Sequence, residues 1–346
     1  MAMTLLTVAC SNTKKQTMDN EVPVAIQFSA DSAYAFCQHQ CDFGPRTMNS
    51  EAHEQCGQWI VEKFQSFGMQ VTEQRATLTG FDGTPLLGNN IIARYQPALS
   101  ERVMLCAHWD SRPWADNDPD EANHTKPVLA ANDGASGVAV MLELARLLQA
   151  DTCLLPVGVD FVCFDAEDWG SDNVPESWAL GAQHWAREYS LSTKVSQLST
   201  LRSAQRDACL SKNSQPSTLN PQPSTLNPRY GILLDMVGGQ GARFYQEGYS
   251  LYYAPTVVKR VWKAAAIAGF SSYFPMDEGG TITDDHGPVN EIAEIPCIDI
   301  IPYYPACRES SFGPTWHTVN DDMNHIDRGT LKAVGQTLVQ VLWTEK

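Results

Sequence analysis

Runs rich in Val, Ile, Leu and Phe recur along this chain, and helix-like segments separate several of them. The runs are VTEQRATL (71–78), NNIIARY (89–95), ERVMLCAH (101–108), VGVDFVCFD (157–165), YGILLDMVG (230–238) and IPCIDIIPY (295–303). Apolar residues at helical spacing mark the segments 51–67, 137–149, 256–269 and 330–343. Strands that alternate with helices predict an α/β domain whose central mixed, largely parallel sheet is flanked by helices on both faces.

Composition narrows the class of protein further. The chain has 346 residues, of which 43% are hydrophobic, so it is long enough to bury one large core. No run of 18 or more apolar residues predicts a membrane span. Only 24 Lys and Arg stand against 40 Asp and Glu, which argues against a nucleic-acid partner because phosphate binding needs clustered positive charge. We therefore expect one domain over residues 30–346.

The first ten residues, MAMTLLTVAC, resemble the end of an export signal. A polar linker follows, so residues 1–29 are interpreted as a leader and linker. In a bacterial lipoprotein the lipid would be attached to Cys10, which predicts a periplasmic protein of the cell envelope with a lipid anchor. The apolar run is short and lacks a basic segment before it, which fits a truncated or misassigned start. The alternative is a frayed terminus with a chance cysteine.

Residues 190–229 break the alternation of strands and helices. The tract is rich in Ser, Thr, Gln, Asn and Pro, and the heptapeptide QPSTLNP occurs twice in tandem, at 215–221 and 222–228. Such a composition cannot bury enough apolar surface to offset the entropy lost on ordering. We expect a structureless low-complexity insert on the surface of the domain.

Five short segments with acidic or histidine side chains lie at or just beyond the ends of apolar runs. They are AHWDSR (107–112), LAANDGASG (129–137), FDAEDWG (164–170), LLDMVGG (233–239) and TWHT (315–318). In open α/β sheets, ligands collect beyond the carboxyl ends of the strands, so His108, Glu167, Asp168 and Asp235 are expected to converge on one rim. Carboxylates and imidazoles are ligands that zinc accepts, and this set predicts a zinc enzyme.

Glu167 and Asp168 are neighbours, and adjacent side chains of an extended strand point to opposite faces. Both can face one site only if the strand has ended, and Gly170 is expected to permit that turn. One carboxylate would then bind metal while the other transfers protons; the alternative is an acidic strand end in solvent. The alternative role for Asp133 is that of an N-cap residue, which would satisfy free backbone amides of the helix that begins near Gly134.

His317 lies in a loop directly after Trp316. A lone loop histidine is usually solvated, but an aromatic neighbour and the nearby Thr318 suit a ligand at the wall of a pocket.

In this order and at these separations, the five segments resemble those of the bacterial glutaminyl-peptide cyclotransferases, relatives of the two-zinc aminopeptidases. The resemblance covers about residues 30–346 without the insert. It implies one zinc per chain, held by Asp133, Asp168 and His317, with Glu167 as general acid and base. It also implies that Asp235 and Asp284 belong to a buried hydrogen-bond network behind the site. Trp316 and Trp169 are the residues expected to contact substrate.

Two positions depart from the animal members of that family. Asp168 replaces a glutamate ligand and is shorter by one methylene, and Asp299 replaces a histidine of the buried network. Neither change removes an essential group, although both alter the local charge or reach.

The activity that the resemblance implies is conversion of an N-terminal glutamine of peptides and proteins to pyroglutamate, with release of ammonia. Such an enzyme needs no nucleophilic side chain, because the attacking amine belongs to the substrate. We expect a monomer.

Two alternatives remain. In a two-zinc aminopeptidase, His108 and Asp235 would complete a second metal site with Asp133 as the bridging ligand. A non-catalytic binding or scaffold protein of the same fold would normally have lost a ligand or Glu167, and none of these is missing. The density of tryptophans near the motifs suits a closed pocket for a small side chain and favours the cyclotransferase.

Overall fold

The computed structural model describes residues 22–210 and 227–346 of the chain. The strands are β1 (Gln70–Thr79), β2 (Pro85–Tyr95), β3 (Glu101–His108), β4 (Gly158–Phe164), β5 (Asn227–Leu234) and β6 (Cys297–Ile300). The α-helices are α1 (Ala30–Asp42), α2 (Glu51–Ser66), α3 (Ala135–Ala150), α4 (Leu180–Leu210), α5 (Gly248–Tyr253), α6 (Pro255–Ile267), α7 (His286–Glu291) and α8 (Arg328–Leu342). Each of the six apolar runs contributes a strand, as the sequence predicts.

The strands form one mixed sheet in the order β1-β2-β4-β3-β5-β6. β4, β3, β5 and β6 run parallel, whereas β2 is antiparallel to both β1 and β4. The parallel part has its carboxyl ends at one edge, which is where residues that follow β3, β4 and β5 must meet. The predicted mixed, largely parallel sheet is confirmed.

Helices cover both faces of the sheet, and the strands alternate their side chains between two apolar cores. Leu105 of β3 points into the larger core, which also contains residues of α1, α2, α3, α6 and α8. Met104 and Cys106 point into the smaller core with residues of α4 and α7. All three side chains are fully buried, and burying one such side chain contributes about 1.5–3 kcal/mol. The two-sided burial explains why these strands are apolar throughout.

The predicted insert differs from the structure in its first half. Helix α4 continues to Leu210, so the expectation of a structureless tract is wrong for residues 190–210. No proline or glycine interrupts the chain between Ala182 and Leu210, and the next proline is Pro216 in the first repeat. Leu191 and Val195 are exposed, which agrees with a position on the surface. Most of the tandem repeat lies outside the described residues.

The leader and the proposed anchor at Cys10 also lie outside the described residues. Within residues 22–210 and 227–346, no helix has both the length and the apolar content that crossing a membrane requires.

Candidate active site

The carboxyl edge of the parallel strands gathers the predicted acidic and histidine residues. His108 is the last residue of β3, Glu167 and Asp168 follow β4 closely, and Asp235 follows β5 directly. All four are at least nine-tenths buried. The predicted convergence on one rim is therefore present in the structure.

One group of three ligands suits a metal ion. The ligand atoms of Asp133, Asp168 and His317 all lie within 4.8 Å of one another. Nε2 of His317 is 3.2 Å from Oδ1 of Asp168 and 3.7 Å from Oδ2 of Asp133. Oδ2 of Asp168 is buried without a hydrogen-bond partner among the described residues. Two carboxylates and an imidazole around an unsatisfied buried oxygen fit zinc, which takes O and N ligands.

The chain reaches this arrangement by a turn immediately after β4. Ala166 has a φ of 52°, in the left-handed region that reverses the backbone direction, so Glu167 and Asp168 can both face the site. The prediction that Gly170 makes this turn is wrong. Gly170 instead leaves room for the ring of Trp178, because a Cβ there would lie 2.0 Å from a ring carbon.

Two further carboxylates, which the sequence did not single out, hold the backbone of the ligand segments. Asp110 accepts hydrogen bonds from the amides of Glu167 and Asp168, each at 3.1 Å. Asp321 accepts hydrogen bonds from the amides of Asn132 and Asp133, at 2.7 and 3.0 Å. Both acids are fully buried or nearly so. Asp110 belongs to the segment AHWDSR, whereas Asp321 lies three residues beyond TWHT, and only the tertiary structure reveals that both bind backbone amides.

Asp133 does not cap helix α3. Gly134 occupies the N-cap position and makes no side-chain cap, while the carboxylate of Asp133 faces the two histidines. The N-cap interpretation of Asp133 is therefore wrong. Gly134 also allows a close approach, because a Cβ there would lie 2.5 Å from Nε2 of His108.

A second group of possible ligands consists of His108, Asp133 and Asp235. Nε2 of His108 is 2.9 Å from Oδ1 of Asp133 and 3.3 Å from Oδ1 of Asp235. Burial lowers the pKa of His108, but the nearby carboxylates of Asp110, Asp133 and Asp235 raise it by more, so the pKa lies well above its ordinary value. Burial raises the pKa of Asp235 to about 8.

Glu167 belongs to neither group. Its side chain is buried and lines a cavity at this rim of the sheet, which we call the reaction cavity. Burial raises its pKa well above the ordinary value, and the charges of Asp284, Asp168 and Asp285 raise it further against an opposing effect of His108. A carboxyl group that is buried beside the ligands without joining them suits proton transfer.

An acidic layer lies behind the site. Asp284, His286 and Asp299 place their ligand atoms within 4.8 Å of one another, and all three are buried. Burial raises the pKa of Asp284 and, more strongly, that of Asp299. Asp284 also lines the reaction cavity beside Asp235.

The reaction cavity has a volume of about 270 Å³. It is lined by Asp133, Glu167, Asp172, Pro175, Trp178, Asp235, Met236, Thr281, Ile282, Thr283, Asp284, Ile301, Phe312, Trp316 and His317. Trp316 stacks on His317 with ring centroids 3.8 Å apart, as a wall residue next to a ligand would. Trp169 is not part of this lining, and Trp178 supplies the second tryptophan wall instead. The ring of Trp169 packs against Trp114 outside the cavity.

Comparisons with known proteins reveal one matching family and several similar solved structures. The model of peptidase family M28 matches residues 90–342. The crystal structure of Bacteroides thetaiotaomicron glutaminyl cyclase bound to N-acetylhistamine has 45% sequence identity and a TM-score of 0.80, covering 93% of this chain and 99% of that one. The structure of Tannerella forsythia glutaminyl cyclase has 44% identity and a TM-score of 0.79, covering 93% of this chain and all of that one.

Other similar proteins carry different names. A leucine aminopeptidase precursor from Bacteroides thetaiotaomicron has 44% identity and a TM-score of 0.79, with 94% of this chain and 100% of that one covered. The uncharacterized protein YfbL of Escherichia coli is 38% identical over 111 residues, which are 32% of this chain and 31% of that protein. The similarity to YfbL thus spans less than a third of either chain.

Proposed function

The chain belongs to peptidase family M28, and we propose that it is a zinc-dependent glutaminyl-peptide cyclotransferase, which converts N-terminal glutamine of peptides and proteins to pyroglutamate. The observation that carries the proposal is a small aromatic-walled cavity with a buried Glu167 beside the ligand group Asp133, Asp168 and His317. Two glutaminyl cyclases at 44–45% identity over nearly the whole chain support the same activity.

Asp133, Asp168 and His317 would hold the zinc. When bound there, zinc supplies a Lewis acid that polarises the γ-carbonyl of the glutamine. Arg112 donates a hydrogen bond from Nη1 to Oδ1 of Asp168 at 3.3 Å, and another to its main-chain carbonyl at 3.0 Å. It thereby fixes the orientation of this carboxylate, and outer partners of this kind strengthen metal sites.

Glu167 transfers the proton of the reaction. The α-amine of the substrate forms a bond to its own γ-carbonyl carbon, and the bond from that carbon to the amide nitrogen breaks. Glu167 accepts a proton from the attacking amine and delivers it to the departing nitrogen, which leaves as ammonia. Because the amine belongs to the substrate, the protein contributes orientation and a water-poor site without a nucleophilic side chain.

The cavity walls orient the substrate. Trp178 and Trp316 present rings on which the aliphatic part of a glutamine side chain can pack. Asp235 and Asp284 line the acidic side of the cavity, where they suit contacts with the α-amine or with Glu167.

A two-zinc aminopeptidase is the second candidate. The group His108, Asp133 and Asp235 favours it, because Asp133 would bridge two ions. One similar structure is that of a leucine aminopeptidase precursor.

An assay with two substrates distinguishes the candidates. The purified protein is incubated with a peptide that begins with glutamine and with one that begins with leucine, and both ammonia and free amino acid are measured. Ammonia together with an intact, cyclised peptide is the expected result. Release of free leucine without ammonia would show that the protein is an aminopeptidase and not a cyclotransferase.

We also propose that the protein is exported to the periplasm and carries a lipid on Cys10, and that its catalytic domain is monomeric. The sequence TLLTVAC before the polar linker supports the lipid anchor. Expression of the full chain in a bacterium should place it in the membrane fraction, and Cys10→Ala should release it to the soluble fraction. An unchanged distribution would rule out the anchor.

A further inference from the structure

A second cavity of about 330 Å³ lies next to the reaction cavity. We call it the outer pocket and define it by Phe81, Arg112, Trp114, Asp116, His124 and residues 170–173. Asp172 lines both cavities, so the outer pocket adjoins the reaction cavity at this residue. A peptide whose first residue occupies the reaction cavity can therefore continue into the outer pocket at this junction.

Arg112 forms the partition between the two cavities. Its guanidinium carbon lies 4.9 Å from the ring of Trp178 on one side and 5.5 Å from the ring of Trp114 on the other. Its Nε and Nη2 donate to the two oxygens of Asp116 at 2.8 and 2.6 Å, and its Nη1 contacts Asp168. The guanidinium nitrogens therefore donate to Asp116 and Asp168 of the protein itself, and these hydrogen bonds hold the Arg112 side chain in place.

The walls of the outer pocket are aromatic. Phe81 and Trp114 meet edge to face with centroids 5.8 Å apart, and Trp169 packs against Trp114 at 5.1 Å. Phe81 is 42% exposed at the tip between β1 and β2, so its ring is accessible to a ligand in the outer pocket. Trp169 is itself fixed by a hydrogen bond from its indole nitrogen to Asp82.

The rim of the outer pocket is acidic. Asp172 is exposed and makes no ion pair with any residue in the described part of the chain, whereas Asp116 is neutralised by Arg112. The exposed ring of Phe81 and an unpaired carboxylate in the same pocket attract an ammonium or guanidinium group through cation–π and charge interactions, and they disfavour a carboxylate.

We propose that the outer pocket binds the residues that follow the N-terminal glutamine and selects substrates with a basic side chain there. This inference rests on the proposed cyclotransferase activity and names its preferred class of peptide. The junction at Asp172 places the acid where the second residue leaves the reaction cavity, since one extended residue spans only about 3.5 Å.

The test uses three amidated peptides, Gln-Arg-Arg, Gln-Leu-Leu and Gln-Glu-Glu, whose blocked ends add no charge of their own. The kcat/KM of the arginine peptide should exceed that of the glutamate peptide about five- to tenfold, mainly through KM. Raising the salt from about 0.02 M to about 0.3 M should shrink this ratio, because the Debye length falls.

Two variants separate the contribution of the Asp172 charge to selectivity from that of the Phe81 ring. Asp172→Lys should bring the arginine-to-glutamate ratio to one or below. Phe81→Ser removes an exposed ring without changing the charge of the protein. It should lower the arginine-to-glutamate ratio about twofold. Asp31→Asn is the matched control: Asp31 is an exposed acid on α1 that pairs with Arg328 and lines neither cavity, so the ratio should not change. Thermal melting checks that each variant is folded.

Equal kcat/KM values for the arginine and glutamate peptides would contradict the proposed selectivity of the outer pocket. They would leave the proposed cyclotransferase activity intact. The same conclusion would follow if the folded Asp172→Lys variant kept the wild-type ratio. Failure to release ammonia from all three peptides would instead overturn the activity and, with it, the assignment of the outer pocket.

Discussion

Nε2 of His108 lies 2.9 Å from Oδ1 of Asp133, so a ligand of the candidate second metal site contacts the carboxylate that both sites would share. The other oxygen of Asp133 faces His317. His317 and Asp168 make a corresponding contact at 3.2 Å in the first group, so Asp133 lies between two similar groups of possible ligands.

The family resemblance implies a single zinc at Asp133, Asp168 and His317, and we predict one tightly bound zinc per chain. Elemental analysis of the purified active protein should give about one equivalent, and chelators should abolish activity that one equivalent of zinc restores. Imidazole-type ligands should inhibit by occupying the open zinc position. Two equivalents in the active protein would favour the aminopeptidase.

Glu167 and Asp168 are predicted to have separate roles although they are neighbours. Glu167→Gln should keep zinc and native stability, because the amide is similar in size, but turnover should fall by about 10² or more through lost proton transfer. Asp168→Asn should weaken zinc binding. Zinc titration and kcat are measured for both, with the exposed Glu62→Gln on α2 as control. Loss of zinc only in Glu167→Gln would reverse the two roles.

Asp110 is predicted to position both of these residues through their backbone amides. Asp110→Ala should lower activity and zinc affinity by about 10- to 100-fold, as the loss of outer partners does in other metal sites. Asp110→Asn keeps one acceptor oxygen and should lie between this variant and the wild type.

The matched control is Asp160→Asn, which weakens the buried pair of Asp160 with Arg102. It should lower the melting temperature without changing zinc affinity. Equal zinc affinity in Asp110→Ala and the wild type would show that Asp110 has no positioning role.

Glu247 is predicted to make stability depend on pH. Burial raises its pKa, but His286 at 3.2 Å and the hydrogen bonds from Ser250 outweigh this effect and lower the pKa from 4.5 to about 2. A depressed carboxyl pKa contributes stability above the unfolded pKa, and this contribution is lost as pH falls through the folded one.

Glu247→Gln should therefore cost roughly 3 kcal/mol of unfolding free energy at pH 7. The difference from the wild type should shrink between about pH 5 and pH 2. Denaturant unfolding across this range measures it, and a difference that is constant with pH would contradict the assignment.

One copy of the tandem repeat is predicted to be dispensable. Deleting residues 215–221 leaves β5 intact, because that strand begins at Asn227 in the second copy. Of residues 190–229, none that the structure describes lines the reaction cavity or the outer pocket. The kcat/KM should stay within about twofold, because the deletion removes no residue of α4 or β5. A tenfold loss would show that the repeat contributes to catalysis.

The sequence alone determined the strands and the rim on which the site lies. Strands buried on both faces must be apolar throughout, and parallel strands place their carboxyl ends at one edge, so ERVMLCAH and YGILLDMVG located His108 and Asp235. The grouping of Asp133, Asp168 and His317 came from a family resemblance, because no local pattern brings residues so far apart in sequence together.

Only the tertiary structure decided how individual side chains are used. The turn after β4 lies at Ala166 and not at Gly170, because Gly170 is needed where the Trp178 ring packs. Trp178 lines the reaction cavity and Trp169 packs outside it. The sequence pattern does not indicate which of these two tryptophans lines the cavity. Asp110 and Asp321 bind backbone amides across long separations in sequence. Such choices depend on which atoms compete for the same buried space and for the same hydrogen bonds, and those competitors become neighbours only when the chain has folded.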